Sequence, residues 1–465
     1  MTARLSESTL AALPADVERP AHARRDARIG VVHLGVGNFH RAHQALVFDA
    51  LLAAGDARWG VSGVSLRRPA MRDALAPQDG LYTVLVRDGT GTRVRVAGAL
   101  RELLVAPEAP AVVIARLAAA DTRLVTLTIT EKGYDENGPS SAVGLLAAGL
   151  AARRAAGHDG LSLLSCDNLS HNGSRLQARL HAEAAALDPA LADWIARAVA
   201  CPDTMVDRIV PATVDADREE AAHRLGVVDA WPVAAEPFMQ WVIERRFVGE
   251  TPPLEAAGVE LVDDVAPWEA MKLRLLNAAH SSLAYLGALA GLATVDAAIA
   301  DPRLRAFVVR LWLQAAATLP ASVRAQAPGY GARLLERFAN PALRHRLLQI
   351  AMDGSRKLPQ RLVETLLEAR RAGLPHDAPL IAVAAWMHFC AGRDDAGCEL
   401  PLDDPLAARL RATASAPGEA LQTVRAMLAI DAVFGDAATD PTLAVELAAA
   451  LDALRERGAL AAIGP

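Results

Sequence analysis

The sequence predicts an α/β fold: a doubly wound sheet in the N-terminal part, followed by a mainly α-helical C-terminal domain. Three observations predict it. Up to about residue 262, short β-branched apolar runs alternate with helical stretches, the pattern of a largely parallel sheet covered on both faces. A glycine turn, Gly35-Val36-Gly37, directly follows the first of those runs. Beyond Val262, segment after segment is Ala- and Leu-rich with Pro or Gly at the joints, as in APG, NPAL, LPQR, GLPHD and DDPL, which reads as successive helices.

Taken in order, RIGVVHLGVG from Arg28 is a buried strand, and a helix is expected from about Arg41 to Ala54. WGVSGVSL, from Trp59 to Leu66, is the second strand. LYTVLVRD and TRVRVAGAL alternate like an antiparallel hairpin around GTGT, an insertion in the α/β order. LVTLTIT is the next apolar strand, and GLSLLSCDN follows a long helical run through Arg153. The boundary is placed so that residues 1–262 form the sheet domain and 263–465 the helical one.

The 465 residues suffice for two domains, each with its own core. A composition of 52% hydrophobic and 22% charged residues is that of a folded globular chain. The formal net charge of −6 gives no electrostatic case for a nucleic-acid or membrane-surface partner. Cys166, Cys201, Cys390 and Cys398 are scattered without CxxC spacing, so a reducing compartment is the simplest setting. With no apolar run after a basic start and no clean membrane span, a cytoplasmic location is expected.

Gly35 and Gly37 lie where a dinucleotide-binding fold needs a tight turn and close approach of backbone to a pyrophosphate. An ordinary βα turn has the same look, because the third glycine position holds His40. The context of a first strand favours a cofactor, with Gly35, Val36, Gly37, Asn38 and Phe39 at the pyrophosphate. His40 and His43 stand three apart, but no further metal ligand lies nearby, so packing or cofactor contact is the better reading. The second strand ends in Ser65-Leu66-Arg67-Arg68, without the usual ribose carboxylate. Arg67 is expected at the adenosine end, against adenine or a 2′-phosphate, with a pair of solvated loop arginines as an equally good reading. NAD is the expected cofactor and NADP stays open.

The stretch EAMKLRLLNAAHSSLAYLG, Glu269 to Gly287, is apolar and helical yet carries Glu269, Lys272, Asn277 and His280. With Lys272 at zero on a wheel of about 100° per residue, Glu269 falls near 60°, His280 near 80° and Asn277 near 140°. Leu276 and Leu283 share that arc, so the polar groups interrupt the apolar face. A partly exposed helix with a Glu–Lys pair is one explanation. The other is chemical: oxidising a secondary alcohol needs a base for the hydroxyl proton and donors for the developing alkoxide. Lys272 fits the base, Asn277 and His280 the donors, and Glu269 a proton relay, with no metal required.

K-x4-N-x2-H here, together with GVGNFHRAH, TITEKGY, SCDNLSHNG and MVDRIVPATV before it, resembles the polyol-specific long-chain dehydrogenases, the mannitol dehydrogenase family. The similarity runs from about residue 28 to 410. It implies a Rossmann-type dinucleotide-binding domain, a helical substrate domain, an active site in the cleft between them, and metal-free hydride transfer involving a nicotinamide cofactor. By motif, Lys272 resembles the family's general acid–base, Asn277 and His280 its polarising groups, and Glu269 its relay carboxylate. Asn168 resembles the asparagine that completes the oxyanion pair, and Asp207 an active-site aspartate. From the residues alone, VDR is as well read as a structural ion pair.

For substrate, TEKGY and DGSRKLPQRL are closest to the fructuronate reductase (D-mannonate oxidoreductase) branch. A uronate needs a cationic partner, for which Lys357 and Arg361 are the candidates, beside a basic helix start as the plainer explanation. Fructuronate reduction to mannonate is therefore the first expectation and a polyol 2-dehydrogenase acting on mannitol and fructose the alternative. A dinucleotide-binding sensor without turnover, and a different hydroxy-acid dehydrogenase, are more remote.

Overall fold

The computed structural model describes residues 3–342, 345–435, 437 and 440–464. Backbone contacts divide the chain into two units, Met1–Ala266 and Pro267–Pro465.

In the first unit, β1 (Ile29–Leu34), β2 (Gly60–Ser65), β3 (Leu100–Val105), β4 (Leu124–Leu127) and β5 (Ser162–Ser165) form one parallel sheet. Their spatial order is β3-β2-β1-β4-β5. The chain thus winds outward from β1 to β3, then crosses back to β4 on the other side of β1. That reversal makes a crevice at the carboxyl ends of β1 and β4, the usual ligand site of doubly wound sheets. Alternation along the strands feeds two cores. Val31, Val61, Leu124 and Leu164 join one; Val32, Leu34, Val64, Val125, Leu127 and Leu163 join the other. A side chain of this size contributes about 1.5–3 kcal/mol when fully buried, so a one-residue slip of register would expose a whole set. The expected doubly wound α/β architecture is what the unit adopts.

The hairpin forms as expected, from Tyr82↔Ala97 to Asp88↔Gly91. It does not extend the main sheet. It pairs with Val17–Glu18 and Val233–Ala235 in a four-stranded sheet of its own, and Leu100 already begins β3. A third sheet combines Thr204–Asp207, Gln240–Glu244 and Glu260–Val262. The helix expected from Arg41 to Ala54 differs too. It is two helices, Asn38–Ala42 and Gln44–Ala53, broken at His43 with φ −129° and ψ −93°. His43 donates from Nε2 to the Gln240 carbonyl at 2.9 Å and stacks on Phe39. This anchoring to the third sheet outweighs a continuous helix.

In the second unit every named element is helical. At its centre lies Ala278–Leu289, in which every residue is buried. Pro302–Ala317, Leu347–Ala351 and Asp377–Phe389 pack around it. A helix apolar on all sides belongs in the middle of a bundle, and small residues allow the close approach. A Cβ on Gly287 would stand 2.6 Å from Leu347 Cδ1. Among the described residues no helix is long and apolar enough to cross a membrane.

Candidate active site

In the first unit a cavity of about 280 Å³ opens at the carboxyl ends of β1, β2 and β4. Gly35 and Gly37 form its floor. Gly35 has φ +96°, and a Cβ there would meet the Thr128 carbonyl oxygen at 2.2 Å. Only glycine fits. Gly37 differs: a Cβ there would meet nothing nearer than the Gly35 carbonyl oxygen at 3.7 Å, so it would project into open space. The N–H groups of Gly35 and Val36 both donate to Val64 O, at 2.9 and 3.2 Å. The turn itself is therefore taken by the sheet. Donors for a pyrophosphate begin with the first N–H groups of the helix opening at Asn38, which have no intrahelical acceptor. This open, donor-bearing floor fits a dinucleotide phosphate.

His40, at the third glycine position, is fully buried and stacks on His33 with ring centroids 3.4 Å apart. His33 hydrogen-bonds Thr126 Oγ1 at 2.7 Å and Thr128 Oγ1 at 3.0 Å, and Thr128 donates onward to Gly35 O. Burial holds both imidazoles neutral, His33 down to about 3. The two histidines are packing beneath the turn. Asn38 hydrogen-bonds Thr213 at 3.0 Å and accepts from Arg41 at 2.7 Å, and Phe39 packs on the core. Their side chains shape the turn from behind. Arg67 lies at the rim, exposed, and pairs with Glu136 at 2.7 Å.

The wall opposite is built by residues the sequence reading passed over. Asp167 accepts from Thr130 N at 2.8 Å, Ile129 N at 3.1 Å and the Tyr134 hydroxyl at 3.0 Å. Burial raises its pKa against those donors. The clamp holds Thr130 at φ +65°, a strained angle for a β-branched residue. Both partners lie inside quoted motifs, TITEKGY and SCDNLSHNG; their pairing across 37 residues had no local signal.

Asn168 follows Asp167 and is exposed; Asp207 ends its strand and is buried. Asn172 joins the two motifs, accepting from Thr204 N at 2.9 Å and donating to Thr204 O and Asp167 O. Arg208 donates to Glu236 O at 3.0 and 2.7 Å.

In the second unit Lys272, Asn277 and His280 are 9%, 8% and 8% exposed, while Glu269 is half-buried. The helix is not uniform. Ala266–Met271 is α-helical, Lys272–Asn277 is π-helical, and α geometry resumes at Ala278. Five residues along an α-helix leave two side chains about 140° apart. In a stretch closed by i→i+5 bonds they stand roughly one turn apart and share a face. The π turn therefore rotates Asn277 back toward the side of the helix that carries Lys272. A uniform α wheel sets Asn277 near about 140° from Lys272, at the edge of the arc that holds His280. His280 packs against Phe338 at 4.6 Å and His345 at 5.4 Å. Burial, with His345 and Arg337 nearby, keeps its pKa well below the usual value. Its buried Nε2 has no partner among the described residues, a cost of about 1–3 kcal/mol unless a ligand takes it.

A second π turn, Pro359–Val363, packs against the first. Arg361 sits in it and donates to Ser281 Oγ at 3.2 Å, with no carboxylate pairing it among the described residues. Lys357 donates to the carbonyls of Met352 at 2.5 Å and Ile350 at 3.4 Å, closing the end of the helix Leu347–Ala351. Arg356 is exposed. Burial lowers the pKa of Lys357 and Arg361. Among the described residues no three His, Cys, Asp or Glu side chains gather closely enough for a metal ion.

Comparison with known proteins matches residues 29–256 to the mannitol dehydrogenase Rossmann domain and 264–455 to the mannitol dehydrogenase C-terminal domain. Mannitol 2-dehydrogenase of Pyrenophora tritici-repentis is 39% identical, over 99% of this chain and 86% of its own. Pseudomonas fluorescens mannitol 2-dehydrogenase, solved as a ternary complex with NAD and D-mannitol, is 36% identical with a TM-score of 0.84, covering 99% of this chain and 98% of its own. A substrate-free D-sorbitol dehydrogenase is 32% identical with a TM-score of 0.92, covering 99% and 100%. None of these three singles out the fructuronate reductase branch, so the polyol alternative is the better supported of the two substrate readings. With both domains matched in order along nearly the whole chain, this oxidoreductase belongs to the mannitol dehydrogenase family.

Proposed function

We propose that the chain is an NAD-dependent polyol dehydrogenase that interconverts a hexitol of the mannitol type and its 2-ketose. The observation that carries this reading is that Lys272, Asn277 and His280, three polar side chains, are all buried along one helix that a π turn interrupts. The neutral Lys272 amine takes the proton of the substrate hydroxyl. Asn277 donates from its amide, and His280 from one ring nitrogen, to the oxygen as it gains charge. A neutral imidazole is what burial enforces here, so it polarises without competing for the lysine's proton. Glu269, one α-turn before Lys272, relays the proton to solvent. NAD, when bound, supplies the acceptor for the carbon-bound hydrogen, and Gly37 with the helix start at Asn38 holds its pyrophosphate. Asn168 and Asp207 keep, as proposals, the roles that the family resemblance implies. The relatives named for mannitol support the substrate class.

Fructuronate is the second reading, and Arg361 favours it: a half-buried guanidinium with no carboxylate on it among the described residues suits an acidic substrate. Lys357 counts against it, because its ammonium group already serves two backbone carbonyls. The deciding experiment is NADH-dependent reduction of fructose, fructuronate and tagaturonate by the purified enzyme. Fructose should give the highest kcat/KM, with mannitol oxidised in reverse. A higher value for either keto acid reverses the assignment. Activity should survive a chelator; loss restored by zinc counts against the lysine mechanism.

A further inference from the structure

Doubly wound dinucleotide folds tell the two nicotinamide dinucleotides apart at the end of the second strand. A carboxylate there receives the ribose hydroxyls of NAD, or an arginine the 2′-phosphate of NADP. In this chain that strand end reads Ser65-Leu66-Arg67-Arg68, two arginines and no carboxylate. By itself it is an NADP signature, at odds with the NAD reading.

The fold brings in a group from elsewhere. The chain returns to the same cavity at Glu136, which ends the helix Thr130–Asp135. Glu136 Oε1 accepts from Arg67 Nη2 at 2.7 Å, and both residues line the cavity that opens at Gly35 and Gly37. Their side chains are 67% and 49% exposed, and so open an ion pair adds almost nothing to folding. Nor is Glu136 placed by Arg67 alone. The start of its helix is clamped by Asp167 through Ile129 N and Thr130 N. The end is held by Arg179, which donates to Tyr134 O at 2.9 Å.

We propose that Glu136 determines the choice of dinucleotide, an inference that rests on the NAD reading above. Its carboxylate stands in for the missing strand-end acid, takes up the Arg67 guanidinium and accepts from the ribose hydroxyls. A 2′-phosphate entering there meets a negative charge and finds Arg67 engaged. Removing the carboxylate reverses both effects, because it costs NAD an acceptor and releases Arg67 to the phosphate.

The test is calorimetric binding of NADH and NADPH, without substrate, to the full chain and to Glu136→Gln, Arg67→Ala and the double variant. The unmodified protein should bind NADH more tightly. In Glu136→Gln the NADH-to-NADPH preference should fall by about tenfold or more, the range of one charge-assisted hydrogen bond. The gain for NADPH should vanish in the double variant, which lacks the released guanidinium. A merely structural role for Glu136 would weaken both dinucleotides alike. A preference that moves less than fivefold in Glu136→Gln, or a gain for NADPH that persists without Arg67, overturns the assignment. An unmodified protein that binds neither dinucleotide, or prefers NADPH, overturns the NAD reading along with it.

Discussion

The glycine turn and the buried polar helix both present hydrogen-bonding groups in otherwise apolar surroundings, but by opposite means. At the turn the groups that face the cavity are backbone, aimed by a φ of +96° at Gly35 and by the bond of its N–H to Val64. The side chains there, His33, His40 and Asn38, face inward and hold the turn. On the helix Lys272–His280 the backbone follows the helix, through one π turn, and the side chains carry the proposed chemistry. A backbone site tolerates changes in its neighbours but not the addition of a Cβ. A side-chain site tolerates packing changes but not the loss of a functional group. Binding and catalysis should therefore separate by substitution.

The sharpest test is Lys272→Ala. General acid–base groups contribute about 10² to 10⁴ in rate, and turnover should fall by that range while NADH affinity, measured by titration, stays within twofold. A loss below tenfold would remove Lys272 from the mechanism. Asn277→Ala should come next, with kcat reduced by about 10² to 10³, the value of one donor to a developing oxyanion. Thermal stability must be followed alongside. A variant that melts earlier yet keeps its rate per folded molecule would assign Asn277 to packing.

The glycines should respond the other way. Gly35→Ala forces a Cβ against Thr128 O and holds alanine at a left-handed angle, so it should cost about 1–3 kcal/mol of stability or more. Gly37→Ala meets no such obstacle. It should leave the melting temperature unchanged and weaken NADH binding, since the new methyl projects into the open floor. Equal stability losses in the two variants would refute the distinction.

The smallest effect is on pH. His33 and His280 are held neutral by burial, whereas the unfolded chain protonates its histidines near 6.5. Below that value the unfolded state binds more protons, so stability falls as the pH is lowered; for His33 the window closes at about 3. The slope is about 1.4 kcal/mol per pH unit for each such histidine. Denaturant titrations at pH 7.5 and 5.5 should show a smaller acid loss in His33→Gln and in His280→Gln than in the parent. An unchanged loss would mean these rings are protonated in the folded protein.

Four of the five parallel strands (all but Leu100–Val105, whose start read as the end of the hairpin), the hairpin, the glycine turn and the helical character beyond residue 262 were legible in the sequence. Each depends on periodicity or on chain-local sterics, which neighbouring residues report directly. The odd polar groups of Glu269 to His280 were legible for the same reason, as breaks in an apolar pattern. The π turn was not, because which carbonyl an N–H chooses depends on how the second π turn and the surrounding helices pack against it. Nor was the break at His43, set by a carbonyl 197 residues away. Lys357 stands out in the sequence only by its charge; that its ammonium group also closes a helix end is set by the fold. Glu136 attracted no notice, and only the winding of the chain sets it against Arg67, 69 residues earlier. Composition and spacing identify which groups a chain holds and along which element. Which of them meet is a matter of long-range packing, where burial and hydrogen-bond satisfaction are decided together.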